Sequence, residues 1–219
     1  MSYLLQTDAV NAIADLKSFH SDLELLFKKH GMRLESNAGR RNVILSQAQE
    51  EFFAKELSKR FKDVVADGKT GKPDIVIGEL GIELECKLTS PLKDGALNLQ
   101  ADEFSVSDEK PKDFLYVINR DMREFAVLHF IGLTKSDFIV PNSSRSKGKM
   151  RLSKSRAFKK CNVIVGSVEN RTDRLLQQAY EELQNTSPRA VKTREKIMKR
   201  IEFWTSSDAT YTVVMEPVS

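Results

Sequence analysis

Apolar positions along the chain follow two different rhythms. Between 7 and 30, Val10, Ile13 and Leu16 recur at helical spacing, and Thr7 reads as the cap of that segment. Ser21 with Glu24 forms a capping-box pattern ahead of Leu25, Leu26 and Phe27, and Gly31 reads as the stop. A second helix is predicted over about 46–62. There Ala48, Phe52, Phe53, Leu57 and Phe61 keep helical spacing, and Ser46 with Gln49 offers another capping box. Beyond Gly68 the period shortens. Turn-forming residues 67–73 lead into a strand at 74–78, and 82–88 alternates strictly. Ile82, Leu84, Cys86 and Leu88 point one way; Glu83, Glu85 and Lys87 point the other. These read as two strands joined by a tight turn.

Further strands are predicted at 113–119, 124–132 and 163–165, with a final edge strand at 210–215. Leu175, Leu176, Ala179, Tyr180 and Leu183 form one late helical stripe. A last helix is predicted to open with Ser187 as cap and Pro188 at its first position. It carries Val191, Ile197, Ile201 and Trp204 on one face and Lys192, Lys196, Lys199 and Arg200 on the other. Helices, then a strand cluster, then mixed elements predict an α/β fold: a mixed central sheet flanked by helices.

The length of 219 residues suits a single domain with helical elaborations. No run of about 18 apolar residues occurs, and the N-terminus shows no basic region followed by an apolar stretch. No membrane association and a cytoplasmic location are the expectations. The two cysteines and three histidines have no metal-ligand spacing, which argues against a zinc hydrolase or a disulfide scaffold. His20, His30 and His129 read as structural or surface residues. The net charge of +4 is uneven. Residues 1–142 hold 19 basic and 23 acidic side chains, residues 143–160 hold 8 basic and none acidic, and residues 161–219 hold 8 of each. Positive charge concentrated in one segment points to a polyanionic partner.

Chemistry concentrates at Asp74, Glu85 and Lys87. Asp74 follows Pro73 at the start of the first strand of the hairpin. Glu85 and Lys87 lie two apart on the second strand, so they share a face, and the hairpin brings Asp74 beside them. Two carboxylates bind a hard divalent cation through oxygen, and the backbone carbonyl of Cys86 can be a further ligand. A lysine beside them can orient water or stabilise charge on phosphorus.

Pro73 and Asp74, then about ten residues, then Glu85, Cys86 and Lys87 resemble the PD-(D/E)XK nuclease motif. Asp or Glu two before Lys also occurs at Asp15–Lys17, Asp67–Lys69 and Asp108–Lys110, but only Glu85–Lys87 sits on a strand paired with a Pro-Asp strand. The resemblance covers about 46–132, and the size is most like a type II restriction endonuclease. It implies a core of a helix, a three-stranded meander, another helix and a strand, with elaborations at 1–45 and 133–219. It further implies Mg²⁺ as cofactor, with Mn²⁺ able to substitute, and sequence-specific cleavage of double-stranded DNA by a homodimer. A DNA methyltransferase would then be its functional pair. A structure-specific or repair nuclease of the same superfamily, and a non-catalytic DNA-binding protein of the same fold, are the alternatives.

Nucleases of this kind often place a helical acid near the metal. Glu51 is that candidate, with Glu50 competing, and Glu83 is a possible additional acid on the strand. Gln100 falls where the helix after the hairpin is expected. For DNA contact, Arg145, Lys147, Lys149, Arg151, Lys154 and Arg156 lie in the basic segment, whose Ser and Gly suggest a loop. Arg40 and Arg41 form a smaller basic stretch before the second helix.

Overall fold

The computed structural model describes residues 2–67, 72–92, 96–106, 110–140 and 148–218. Helix α1 spans Gln6–Lys29 without a break. Asp8 accepts a hydrogen bond from the Leu5 amide at 2.9 Å and so closes its N-terminus. Ser21 lies mid-helix, its hydroxyl donating to the Lys17 carbonyl, so it caps nothing. Helix α2 spans Ala38–Ser58 and starts earlier than the sequence pattern predicts. Its cap is Asn37, whose side chain accepts from the Arg40 amide at 3.0 Å. Ser46, the expected cap, bonds back to the Val43 carbonyl inside the helix. The early turns escape a hydrophobicity pattern because their buried side chains include Arg41 and Asn42.

Strands β1 (Val64–Ala66), β2 (Ile75–Ile77) and β3 (Ile82–Thr89) form an antiparallel meander. The predicted hairpin is present, its connection a single 3₁₀ turn ended by Gly81 at φ +62°. β1 is too short to show a period; its pairing with β2 defines it. β4 (Gln100–Asp102) comes next, then the long hairpin β5 (Lys112–Arg120) and β6 (Glu124–Leu133). The described part of 90–111 contains β4 and a 3₁₀ turn at Glu103–Ser105, so Gln100 lies on a strand and not on the expected helix. Beyond the hairpin lie β7 (Phe138–Ile139), β8 (Lys149–Leu152), α3 (Lys154–Ala157), β9 (Cys161–Val165) and β10 (Ser167–Asn170). Helices α4 (Arg171–Asn185) and α5 (Val191–Ser206) precede β11 (Tyr211–Val214) and β12 (Glu216–Pro217). Helix α5 starts after Ala190, because Ser187–Ala190 forms a separate turn. β11 pairs with β10 in a small sheet of its own.

The main sheet is mixed, in the order β1-β2-β3-β5-β6-β12, with β9 also on β6. Among the described strands only β3 and β5 pair in parallel. Helices α1 and α2 cover one face: Leu16, Leu45, Phe53 and Leu57 bury against Leu84, Leu115, Val117 and Phe125. The sheet β4-β8-β7 and α3 cover the other face, over Phe114, Tyr116, Leu128 and Phe130. Each such side chain contributes about 1.5–3 kcal/mol by leaving water. With both faces covered, β5 is buried along nearly its whole length, which is why 114–118 is an unbroken apolar run. Among the described residues no helix is long and apolar enough to cross a membrane.

Candidate active site

Alternation on β3 sends Leu84 and Cys86 into the helix-side core and Glu85 and Lys87 to the opposite side. Asp74 sits just before β2, opposite this stretch. Its Oδ2 accepts from the Cys86 amide at 2.7 Å, a bond that ties it to the second strand. Lys87 Nζ lies 3.7 Å from the same Asp74 oxygen and donates to Glu85 Oε1 at 2.7 Å. The three residues of the motif therefore form one contact group.

Two further side chains join them. Ser105, on the 3₁₀ turn after β4, donates to Glu85 Oε1 at 2.8 Å and is itself buried. Glu50 projects from α2 into the same field. Burial and the Asp74 carboxylate push its pKa up to about 7, against the opposing pull of Lys87. Burial likewise raises Asp74, with Lys87 pulling it back. Burial works against the Lys87 ammonium, but the Glu85 and Asp74 carboxylates outweigh it and hold its pKa above the usual lysine value.

Glu50, Asp74 and Lys87 line a cleft of about 520 Å³. Its far walls are the first turns of α2, at Gly39 and Asn42, and the pair Asp102 and Lys149 on β4 and β8. A larger cavity of about 750 Å³ lies by the end of α1, between Leu25, Met32 and Arg33. Glu24, Lys28 and Glu35 also line it, but none of the motif residues does, so the smaller cleft is the candidate site.

Other predicted residues are placed differently. Glu51 is exposed on the outer side of α2 and lines no part of the cleft. The helix phase explains this: at 3.6 residues per turn, Glu50 lies roughly 60° from the buried Phe53 and Glu51 roughly 160°. Glu83 is drawn away by ion pairs with Lys110 and Lys112. Arg41, expected to face DNA, is instead 1% exposed. Its guanidinium donates to Glu35 at 2.6 Å and to Asn119 at 2.7 Å, so it is a buried strut with nothing free for a phosphate. Arg40 is exposed.

Within the basic segment, Arg145 and Lys147 lie outside the described residues. From Lys149 onward the segment is regular structure and not the expected loop: Lys149 and Arg151 project from the exposed side of β8, and Lys154 begins α3. Arg156 donates to the Phe138 carbonyl at 3.1 Å. Of the described basic residues in this segment, only Lys149 lines the cleft. Ser105 carried no signal in the sequence, because its partner is 20 positions away and the turn that aims it has no pattern.

For a divalent cation, the donor set is chemically suitable. Asp74, Glu85 and Glu50 offer hard carboxylate oxygens, and the raised Glu50 pKa records burial first and then repulsion from Asp74, which a cation would relieve. Among the described residues, no donor lies within hydrogen-bonding distance of Glu85 Oε2 or Asp74 Oδ1. Nor do any three His, Cys, Asp or Glu side chains there stand close enough together to hold a metal ion by themselves. Mg²⁺ is ordinarily held by one or two carboxylates with water and substrate phosphate completing the shell. Compared with known proteins, the chain matches no family model and no curated protein.

Proposed function

We propose that the protein is a divalent-cation-dependent endonuclease of the PD-(D/E)XK type that cleaves double-stranded DNA. What supports this is the contact group of Asp74, Glu85 and Lys87 at the open end of the β2–β3 hairpin, with Asp74, Lys87 and Glu50 lining one cleft. The order of α2, the meander β1–β3 and the adjoining β5 also agrees with the core that the motif implies, apart from the intermediate helix, which the described part of 90–111 does not contain.

In this reading Asp74 and Glu85 would hold Mg²⁺ or Mn²⁺ together with the Cys86 carbonyl, and Glu50 would add negative charge beside them. The cation supplies Lewis acidity at the scissile phosphate. Lys87, charged at neutral pH, directs a water toward phosphorus and offsets charge that develops there. Ser105 keeps the Glu85 carboxylate oriented, and the Cys86 amide does the same for Asp74. Lys149, at the far wall of the cleft, exchanges Asp102 for a phosphate oxygen of the bound strand. Restriction of foreign DNA is the role we attach, with a two-fold dimer giving one site per strand and a DNA methyltransferase protecting the host.

The test is incubation of plasmid DNA with the protein in Mg²⁺, then in excess EDTA. Cleavage in Mg²⁺ alone is expected, with Asp74→Ala and Lys87→Ala each slower by on the order of a hundredfold or more. Cleavage that persists in EDTA, or either variant cutting at the wild-type rate, would reject this site.

A further inference from the structure

Helix α5 carries a second charged surface, and none of its residues lines the cleft. Its inner face is spent on the neighbouring helix α4. Ile197 is buried, Ile201 and Trp204 are half-buried, and Arg194 donates to the Leu183 and Thr186 carbonyls at the end of α4. Lys192, Lys196, Lys199 and Phe203 succeed one another at i, i+4, i+7 and i+11, so they share a line along the helix. All four are exposed, Phe203 by 58%.

No carboxylate among the described residues comes within ion-pair distance of these three lysines. The neighbouring Arg200, by contrast, is bound to Glu182. Like charges three and four residues apart cost a helix a few tenths of a kcal/mol per pair. Glu195 and Glu202 lie on the adjoining row of the helix without pairing to these lysines, so an anionic partner would break no ion pair to reach them.

We propose that this row is a second docking surface for the phosphate backbone of duplex DNA, lying outside the cleft; the proposal rests on the nuclease reading. The row is about 16 Å long at 1.5 Å per residue. The three lysines cover about 10 Å of it, enough for about three phosphates at 3.4 Å of duplex axis per step of one strand. Lysine acts as a point charge and suits backbone contact better than base reading, so the surface adds affinity without sequence preference. Phe203 supplies apolar contact at the end of the row, against a deoxyribose. A membrane fits less well, because Ile197, Ile201 and Trp204 pack inward and the exposed Val191 and Met198 share their face with Glu195 and Glu202, which an anionic lipid surface would repel.

The test compares wild type with the triple variant Lys192→Gln, Lys196→Gln, Lys199→Gln, whose sites are all exposed. Affinity for a random-sequence duplex is measured across a salt series in EDTA. The variant is expected to bind roughly ten- to a hundredfold more weakly at low salt, with the log–log salt slope smaller by up to about 2.7. Its cleavage rate at saturating DNA should match wild type. An unchanged slope overturns the proposal, as does loss of binding to phosphatidylserine vesicles with DNA affinity intact. If wild type shows the lysine-dependent slope but cuts nothing in Mg²⁺, the surface stands and the nuclease reading falls. If it cuts and the slope ignores the substitutions, the reverse holds.

Discussion

Ser105 and Lys87 donate to the same oxygen of Glu85, at 2.8 and 2.7 Å, so one carboxylate oxygen is held from two sides while the other faces no donor among the described residues. A carboxylate gripped in this way cannot rotate freely, and its second oxygen keeps a fixed direction. Ser105→Ala is expected to lower cleavage by about tenfold, as the loss of a hydrogen bond to a charged group of roughly 1.5 kcal/mol would. Ser105→Thr should recover most of that loss. Equal rates for Ser105→Ala and wild type, in a correctly folded variant, would remove Ser105 from the site.

Glu50 gives the metal-free protein a pH signature. Its folded pKa of about 7 lies above its ordinary value of 4.5, so between these values the folded state binds more protons than the unfolded one. Its contribution to stability is fully present below about 4.5 and is lost as pH rises through about 7. Asp74, also raised, contributes with the same sign. In EDTA, the urea midpoint should fall between pH 5 and 8, and Glu50→Gln should flatten that fall. A wild-type midpoint that rises over this range would contradict the placement of Glu50 in the carboxylate field.

Arg41 and Arg40 are adjacent in sequence but should behave oppositely. Arg41→Ala removes the donor to Asn119 and Glu35 and leaves buried polar groups without partners. We expect a loss of about 3 kcal/mol in denaturant unfolding. Arg40→Ala should leave stability within about 0.5 kcal/mol, as an exposed substitution does. A fully stable Arg41→Ala would contradict its role as a strut.

Gly166 turns the chain from β9 into β10 at φ +79°. A Cβ there would lie 2.5 Å from the Val214 carbonyl oxygen and 3.1 Å from Ala126 Cβ. Gly166→Ala is expected to cost at least about 2 kcal/mol and to loosen the β10–β11 sheet that supports α4. Hydrogen exchange should detect this first at Ser167–Asn170 and Tyr211–Val214.

The long periodic elements could be read from the sequence alone. Alternation over 82–88 set which side chains share a face, and so Asp74, Glu85 and Lys87 were identifiable as one constellation before any coordinates. The α/β class and the two strands β5 and β6, though not their pairing, were legible for the same reason, since apolar period is a local property of the chain. The starts of α2 and α5 were not legible. Asn37 caps α2 ahead of turns whose buried side chains are polar, and Ser187 and Pro188 mimic a cap but form a separate turn. Tertiary structure alone decided the rest of the site. Choosing Glu50 over Glu51 depended on which face of α2 meets the sheet. The guanidinium of Arg41 was spent on Glu35 and on Asn119, the latter 78 residues away, which no local pattern records. Ser105 reached Glu85 only because β4 folds back across the sheet, and such long-range contacts are set by packing and not by spacing along the chain.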